Sequence, residues 1–369
     1  MPVRAAERPA LLSLPKAAAK APGAPQPAPV SRGWAPKKAA EVRASAPVRA
    51  VKAGPVGELE RMSAIVVSNS DGFAPTRKLH EDLARALPKG TKLVVLQSKD
   101  HNDAWSGAAP KGALALKTSA DSPWARDFSP TFVRTREGTL EAVEFKYAYP
   151  GADQVASALA KKLGVPVRSS PLVVEGGNLL ADQGRLFVTT KLLENNKGLT
   201  KAQVEQELKA ALHVDGVQWM KPLPEEPTGH VDMYAKLVAP NTMLISDTTV
   251  PAQKKVMDEA AAQFKALGYE VLRAPNAPTL KAAGPPQVRS YANALVVNGT
   301  AFVPQYASRY DDAKLGKAVA VSDRKAREAY AKAGLQVVGV QADELINFQG
   351  SVHCMTNSLP AEVDPSRLR

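Results

Sequence analysis

Residues 229–272 read GHVDMYAKLVAPNTMLISDTTVPAQKKVMDEAAAQFKALGYEVL. A polar start at His230 leads through the apolar run Met243-Leu244-Ile245 to a helical stretch, which opens on Pro251 and closes at Gly268, and then to a second apolar run from Tyr269 to Leu272. Proline suits the first helical position, where its missing N–H would bond nothing. Glycine just past the last turn is a stop signal, because it accepts the left-handed conformation that ends a helix. Strands of β type separated by one capped helix make an α/β unit.

The same order recurs on both sides of this stretch. The first unit runs from Ala64-Ile65-Val66-Val67 through a helix over Thr76 to Leu87 to Leu93-Val94-Val95-Leu96. A second takes Thr131-Phe132-Val133, Ala142 to Phe145, a helix from Asp153 to Lys162 stopped by Gly164, and Val165 to Val167. The third has Asn178-Leu179-Leu180, a turn at Asp182-Gln183-Gly184, Leu186 to Val188, and a closing strand over Val214 to Trp219. Its helix opens on Thr200 with Gln203 three positions later, the spacing of a capping box. The fifth reads Tyr291 to Val297, the hairpin signal Asn298-Gly299, Ala301 to Val303, a helix near Ser322 to Ala333, and Leu335 to Val340. Five strand-strand-helix-strand units follow; an ordinary α/β sandwich fits the same pattern.

Composition narrows the field. The chain has 369 residues and a formal charge of +12, but ten Lys/Arg against Glu7 and Glu41 lie in residues 1–55, so the remainder is only mildly basic. That segment also holds a third of the prolines among many alanines, too little apolar surface to offset chain entropy. We expect residues 1–58 to be a disordered basic Ala/Pro-rich tail and 59–369 to be one catalytic domain. Ala10 to Leu14 is too short for a signal-peptide core, and no stretch reaches the ~18 apolar residues of a membrane helix. A cytoplasmic location is the expectation. A single cysteine, Cys354, excludes an intramolecular disulfide and a zinc site of several thiolates. Gly176-Gly177 is not followed by a helix carrying Lys, so a phosphate-cradling loop is absent. No cofactor or metal is expected.

Polar residues crowd five places where strands begin or end: Trp124 to Pro130, Glu175-Gly176-Gly177-Asn178, Gly229-His230-Val231-Asp232, Ser290-Tyr291-Ala292-Asn293 and Gly350 to Cys354. The anchors Asp127, Glu175, His230, Asn293 and Cys354 are 48, 55, 63 and 61 positions apart, one per unit. Units disposed about a pseudo-fivefold axis would bring these anchors into one polar pocket. Each also has an ordinary use when taken singly: Asp127 pairing with Arg126, Glu175 as a solvated turn residue, His230 as a structural hydrogen-bonder, Trp124 in the core, and Cys354 as a small buried side chain. In an extended His-Val-Asp segment, His230 and Asp232 would share a face. His353 should then point away from the side of Cys354. His80, His101 and His213 lack such polar company and are expected at the surface or in structural roles.

The ordered set Trp-Ala-Arg-Asp, Glu-Gly-Gly-Asn, Gly-His-Val-Asp, Ser-Tyr-Ala-Asn and His-Cys resembles the agmatine deiminase and bacterial (Porphyromonas-type) peptidylarginine deiminase family over roughly residues 62–360. The resemblance implies the pentein fold, a five-bladed pseudo-symmetric α/β propeller. It implies Cys354 as nucleophile, His230 as acid/base, Asp127 and Asp232 as guanidinium-binding carboxylates, and Glu175, Asn293 and Trp124 lining the pocket. Calcium is not implied, since the likeness is to the shorter bacterial type. Ser129 and the lone Gly350 depart from the agmatine pattern, which leaves agmatine and peptidyl arginine as first and second substrates. An amidinotransferase, or a protein whose tail attaches it to nucleic acid or an acidic membrane face, stands behind these; neither nucleic acid nor a membrane span is required. The chemistry explains the residue types. A guanidinium is always charged and offers five donors in a planar fork, which carboxylates match two bonds at a time.

Overall fold

The computed structural model describes residues 53–69, 74–98, 109–120, 122–149, 152, 154–278, 288–307 and 313–368. It forms five small sheets rather than the two large ones of a sandwich. In chain order the elements are β1 (Gly54–Pro55), β2 (Met62–Asn69), α1 (Ala74–Ala86), β3 (Lys92–Ser98) and β4 (Leu114–Thr118). Next come α2 (Ala125–Phe128), β5 (Thr131–Arg134), β6 (Leu140–Lys146), α3 (Val155–Leu163) and β7 (Val167–Val173). The third group is β8 (Leu180–Asp182), β9 (Arg185–Thr189), α4 (Lys191–Asn195), α5 (Lys201–Leu212) and β10 (Gly216–Met220). The fourth is β11 (Ala235–Ala239), β12 (Thr242–Asp247), α6 (Pro251–Ala266) and β13 (Glu270–Pro275). The last is β14 (Leu295–Val297), β15 (Thr300–Gln305), α7 (Ala313–Lys332) and β16 (Gln336–Gln341), followed by β17 (Thr356–Pro360).

One rule generates every sheet. A first strand pairs antiparallel with a second, a helix crosses over, and a third strand pairs parallel with the second, as in β11-β12-α6-β13 and β14-β15-α7-β16. The first unit obeys the rule only because the chain closes on itself: β17, near the C-terminus, pairs antiparallel with β2, with Thr356 opposite Val67 and Ser358 opposite Ile65. The expected five units are therefore present, and the first strand of unit one comes from the far end of the sequence. β1 pairs with β5, so Gly54–Pro55 belongs to the folded body and lies before the expected boundary at residue 58. The remainder of the expected tail, residues 1–52, lies outside the described residues, as does His101.

Local signals account for the helices. Pro251 opens α6, which buries Val256, Met257, Ala260, Ala261 and Phe264 on one stripe. Thr200 Oγ1 accepts from Gln203 N while the Gln203 side chain returns to Thr200 N, the reciprocal cap that starts α5. Gly164, at φ 73°, sends its N–H to the last carbonyls of α3. Asn298 and Gly299 both take positive φ at the β14–β15 turn. α7 begins at Ala313, well before the expected Ser322. The central strands β2 and β3 are buried almost end to end, which is why they read as continuous Val, Ile and Leu. With few aromatics, the ring cluster Phe187–Phe264–Tyr269, at 4.7–6.0 Å between centroids, joins the third and fourth units. Truncating a buried Phe such as Phe264 costs about 3–5 kcal/mol.

The first strands position the site. Asp127, Glu175, His230, Asn293 and Cys354 each sit within five residues before β5, β8, β11, β14 and β17 in turn. The segments that carry them are short turns and not the strand ends expected from sequence: a single α turn at Ala125–Phe128, 3₁₀ turns at Gly176–Asn178 and Val231–Met233, and irregular turns before β14 and β17.

Candidate active site

Six polar side chains from five turns meet in a buried cluster: Asp127, Glu175, His230, Asp232, Asn293 and Cys354 are each at most 5% exposed. Cys354 Sγ lies 3.1 Å from Asn293 Nδ2 and 3.6 Å from Asp232 Oδ2. Asn293 also accepts from Cys354 N at 3.3 Å, and its backbone carbonyl accepts from His353 N, so it fixes the turn that presents the thiol. The Cys354 carbonyl in turn accepts from Arg126 N, which couples this turn to α2.

On the other side, His230 Nε2 is 3.0 Å from Glu175 Oε2, and its Nδ1 is 3.8 Å from Asp127 Oδ1. Gly177 N donates to that same Asp127 oxygen at 2.9 Å. Gly177 lies at the centre of the group. A Cβ built on it would stand 2.6 Å from His230 Nδ1 and 3.0 Å from both Asp127 Oδ1 and Asp232 Oδ2, so only glycine leaves these three atoms facing one another. Gly176 is constrained from behind, since its Cβ would meet the Arg126 carbonyl oxygen at 2.1 Å. The Gly-Gly pair is thus a packing requirement of the cluster. Asn178 anchors the same turn, its Oδ1 accepting from Thr189 N at 2.9 Å.

Charge is shared unevenly. Burial pulls the His230 imidazolium down, but the charge of Asp127, the hydrogen bond and charge of Glu175 and the charge of Asp232 outweigh it and push the group up to about 10. Burial, followed by the charges of Asp232 and Asp127, holds the Cys354 thiol well above its ordinary value. Burial works to raise Asp232, and the hydrogen bond and charge of His353, with the charges of His230 and Lys236, outweigh it and keep the carboxyl low. In the free protein at neutral pH, Cys354 is a thiol, His230 an imidazolium and Asp232 an ionised carboxylate. A cation placed beside Sγ would offset the carboxylate charges and favour the thiolate.

The remaining expectations divide. Trp124 is buried in the main apolar core with its ring against Gly350, where a Cβ would come within 2.2 Å of it. His353 does not point away: Nδ1 is 2.7 Å from Asp232 Oδ2 and Nε2 bonds Glu58 Oε1. The turn at 352–355 is not extended, so neighbouring side chains do not alternate. His230 and Asp232 likewise converge through a 3₁₀ turn, not a strand. His80 is a core residue, pulled down to about 3 by burial, and His213 lies 3.9 Å from Glu141. Sequence reasoning missed Glu58, which stands inside the expected tail, and Lys236 and Arg126, which pair with it at 2.5 and 3.1 Å. A charged residue at the fourth position of a strand-like apolar run, as Lys236 is after Asp232, was the available signal. Among the described residues no group of three His, Cys, Asp or Glu could hold a metal ion.

The profile of the Porphyromonas-type peptidyl-arginine deiminase family matches residues 65–360, the span that holds all five anchors. The chain belongs to this family. An agmatine deiminase of Pseudomonas aeruginosa (strain LESB58) is 25% identical over an alignment of 342 positions that covers 79% of this chain and 89% of that protein. The solved agmatine deiminase of Enterococcus faecalis superposes with a TM-score of 0.71 at 22% identity, covering 84% of this chain and 96% of that one. A substrate-bound agmatine deiminase of C. jejuni gives a TM-score of 0.71 at 18% identity over 85% and 98%. The structural likenesses give the five-unit body the pentein fold, and membership of the deiminase family makes the chain a hydrolase of C–N bonds. Among the described residues no helix is long and apolar enough to cross a membrane.

Proposed function

We propose that this deiminase hydrolyses the guanidinium of a small cationic substrate, agmatine first, to N-carbamoylputrescine and ammonia, with Cys354 as nucleophile. The observation that carries the reading is the position of Cys354 Sγ, 3.6 Å from Asp232 Oδ2, in a buried cluster where carboxyl groups hold the His230 imidazolium. Asp127 and Asp232 take the guanidinium N–H groups and set its central carbon before Sγ. The bound cation offsets the two carboxylates that raise the thiol, and the thiol gives up its proton to solvent water. The thiolate adds to the carbon, and His230, held protonated by Asp127 and Glu175, hands its proton to the departing amine as the C–N bond breaks. The amidino-thioether left on Cys354 then takes a water, one of whose protons returns to the now neutral His230; the C–S bond breaks, and the proton left on the ureido oxygen passes to the departing Sγ, giving the ureido product and the thiol. Glu175 holds the His230 ring and Asn293 holds the thiol, while Trp124 packs behind the turn at Gly350.

The family takes its description from peptidyl arginine, so arginyl peptides are the second reading. Ammonia and ureido product measured over agmatine, free arginine and arginyl peptides test both. Agmatine turnover well above the peptides supports the first reading, and the reverse order supports the second. Turnover of none, by folded protein, removes both. A cytoplasmic location accompanies the proposal and is checked by cell fractionation.

A further inference from the structure

Behind the thiol, a second set of buried charges meets Asp232. His353 lies between two carboxylates, with Nδ1 2.7 Å from Asp232 Oδ2 and Nε2 on Glu58 Oε1. Glu58 is itself tied down: Oε2 accepts from Lys236 Nζ at 2.5 Å and from Val296 N at 3.3 Å, and Oε1 is 3.1 Å from Arg126 Nη2. These side chains are between 4% and 16% exposed, and they flank a cavity of about 100 Å³ lined in part by Glu58, Arg126, Lys236, Asp232 and His353. Asp232 Oδ1, by contrast, is buried without a hydrogen-bond partner.

A carboxylate turns easily about its last torsion, which is broad and two-fold. One that must grip a planar cation gains from being held in a single orientation before the cation arrives. The contacts divide the two oxygens of Asp232 accordingly: Oδ2 is held by the His353 ring and lies 3.6 Å from Cys354 Sγ, and Oδ1 is left over. We infer that His353 and Glu58 are positioning residues, which fix Asp232 so that Oδ1 is presented to a cationic guanidine or amidine beside Cys354. The inference rests on the proposed role of Asp232 as a substrate carboxylate. The ring transmits its hold through Glu58, and Lys236 and Arg126 balance the Glu58 charge so that the support does not swing. His353 is next to the nucleophile in sequence, yet its ring bonds the Asp232 carboxylate and Glu58.

The test compares Cys354 labelling by chloroacetamidine, a cation, with labelling by iodoacetamide, which is neutral, in wild type, His353→Ala, His353→Gln and Glu58→Gln. Steady-state kinetics on agmatine run beside it. Wild type should prefer the cationic reagent. The preference should fall about tenfold in His353→Ala, the loss of one charge-assisted hydrogen bond, while the neutral rate stays within about threefold. KM should rise by more than kcat falls. Gln, whose amide reaches Asp232, should recover part of the preference, and so should imidazole added to His353→Ala. An unchanged preference in folded variants, or an equal fall for both reagents, overturns the inference. If His353→Ala does not fold by circular dichroism, His353→Gln and Glu58→Gln decide by the same two ratios. Labelling needs no turnover, so wild type that prefers the amidine yet releases no ammonia from agmatine counts against the proposed substrate and leaves the positioning result standing.

Discussion

Replacing Asp127 with Asn removes one charge and almost no volume. Asp127 Oδ1 accepts from Gly177 N at 2.9 Å, so the Asn oxygen will stay there and its amide nitrogen will face the guanidinium, donor against donor. A lost charge-assisted bond is worth roughly 1.5–3 kcal/mol, which is about tenfold to a hundredfold in kcat/KM. A second effect follows. The charge of Asp127 is the largest single cause that raises His230, so in Asp127→Asn the imidazolium gives up its proton earlier and the alkaline limb of the pH–rate profile moves to lower pH. The assay is ammonia release on agmatine from neutral pH to about pH 10, with Asp215→Asn as the control. Asp215 pairs with Arg136 at 3.1 Å with both side chains largely exposed, a contact worth about 0–1 kcal/mol, and its loss should barely move the kinetics. Near-normal kcat/KM and an unmoved alkaline limb in folded Asp127→Asn would refute the guanidinium clamp.

Three further outcomes are expected. Gly177→Ala pushes a methyl to 2.6 Å from His230 Nδ1 and should lower kcat/KM roughly a hundredfold with little change in melting temperature; activity near wild type would show that the cluster is looser than described. In the free protein the Cys354 thiol is held well above its ordinary value, so its alkylation by iodoacetamide should be slow at neutral pH and still climbing at alkaline pH, whereas a plateau near pH 7 would contradict this. The folded state keeps the His230 proton to about pH 10 against an ordinary value of 6.5, so its contribution to stability is complete below about pH 6.5 and is lost as pH rises through about 10. Urea midpoints of wild type and His230→Gln should therefore converge at alkaline pH, and a gap that widens there would reverse the sign.

What the sequence disclosed was whatever is encoded within a few residues. Pro251, Gly268, the Thr200/Gln203 pair and Asn298-Gly299 are local devices, and each appears where its chemistry puts it. The order of the anchors was legible because each precedes the first strand of its own unit. Their conformation was not: Glu175, His230 and Cys354 sit on turns whose shape is set by distant bonds, such as Asn178 to Thr189 N and Arg126 N to the Cys354 carbonyl. The first half of α7 is hard to read locally because Gly316, Val319 and Val321 are weak helix formers, whereas the helix as a whole packs against β13, β15 and β16. The closure of β17 on β2 and the bond from His353 to Glu58 join residues almost 300 positions apart, and no local pattern announces such pairings.

The central claim is that the substrate carbon becomes bonded to Cys354 Sγ. Rapid quenching of the protein during agmatine turnover, followed by mass spectrometry of the peptide that carries Cys354, measures this directly. The account predicts a transient adduct on Cys354 heavier by the mass of agmatine less ammonia, and neither adduct nor ammonia from folded Cys354→Ser. Ammonia release at the wild-type rate by Cys354→Ser, or an adduct on any other residue, would contradict it.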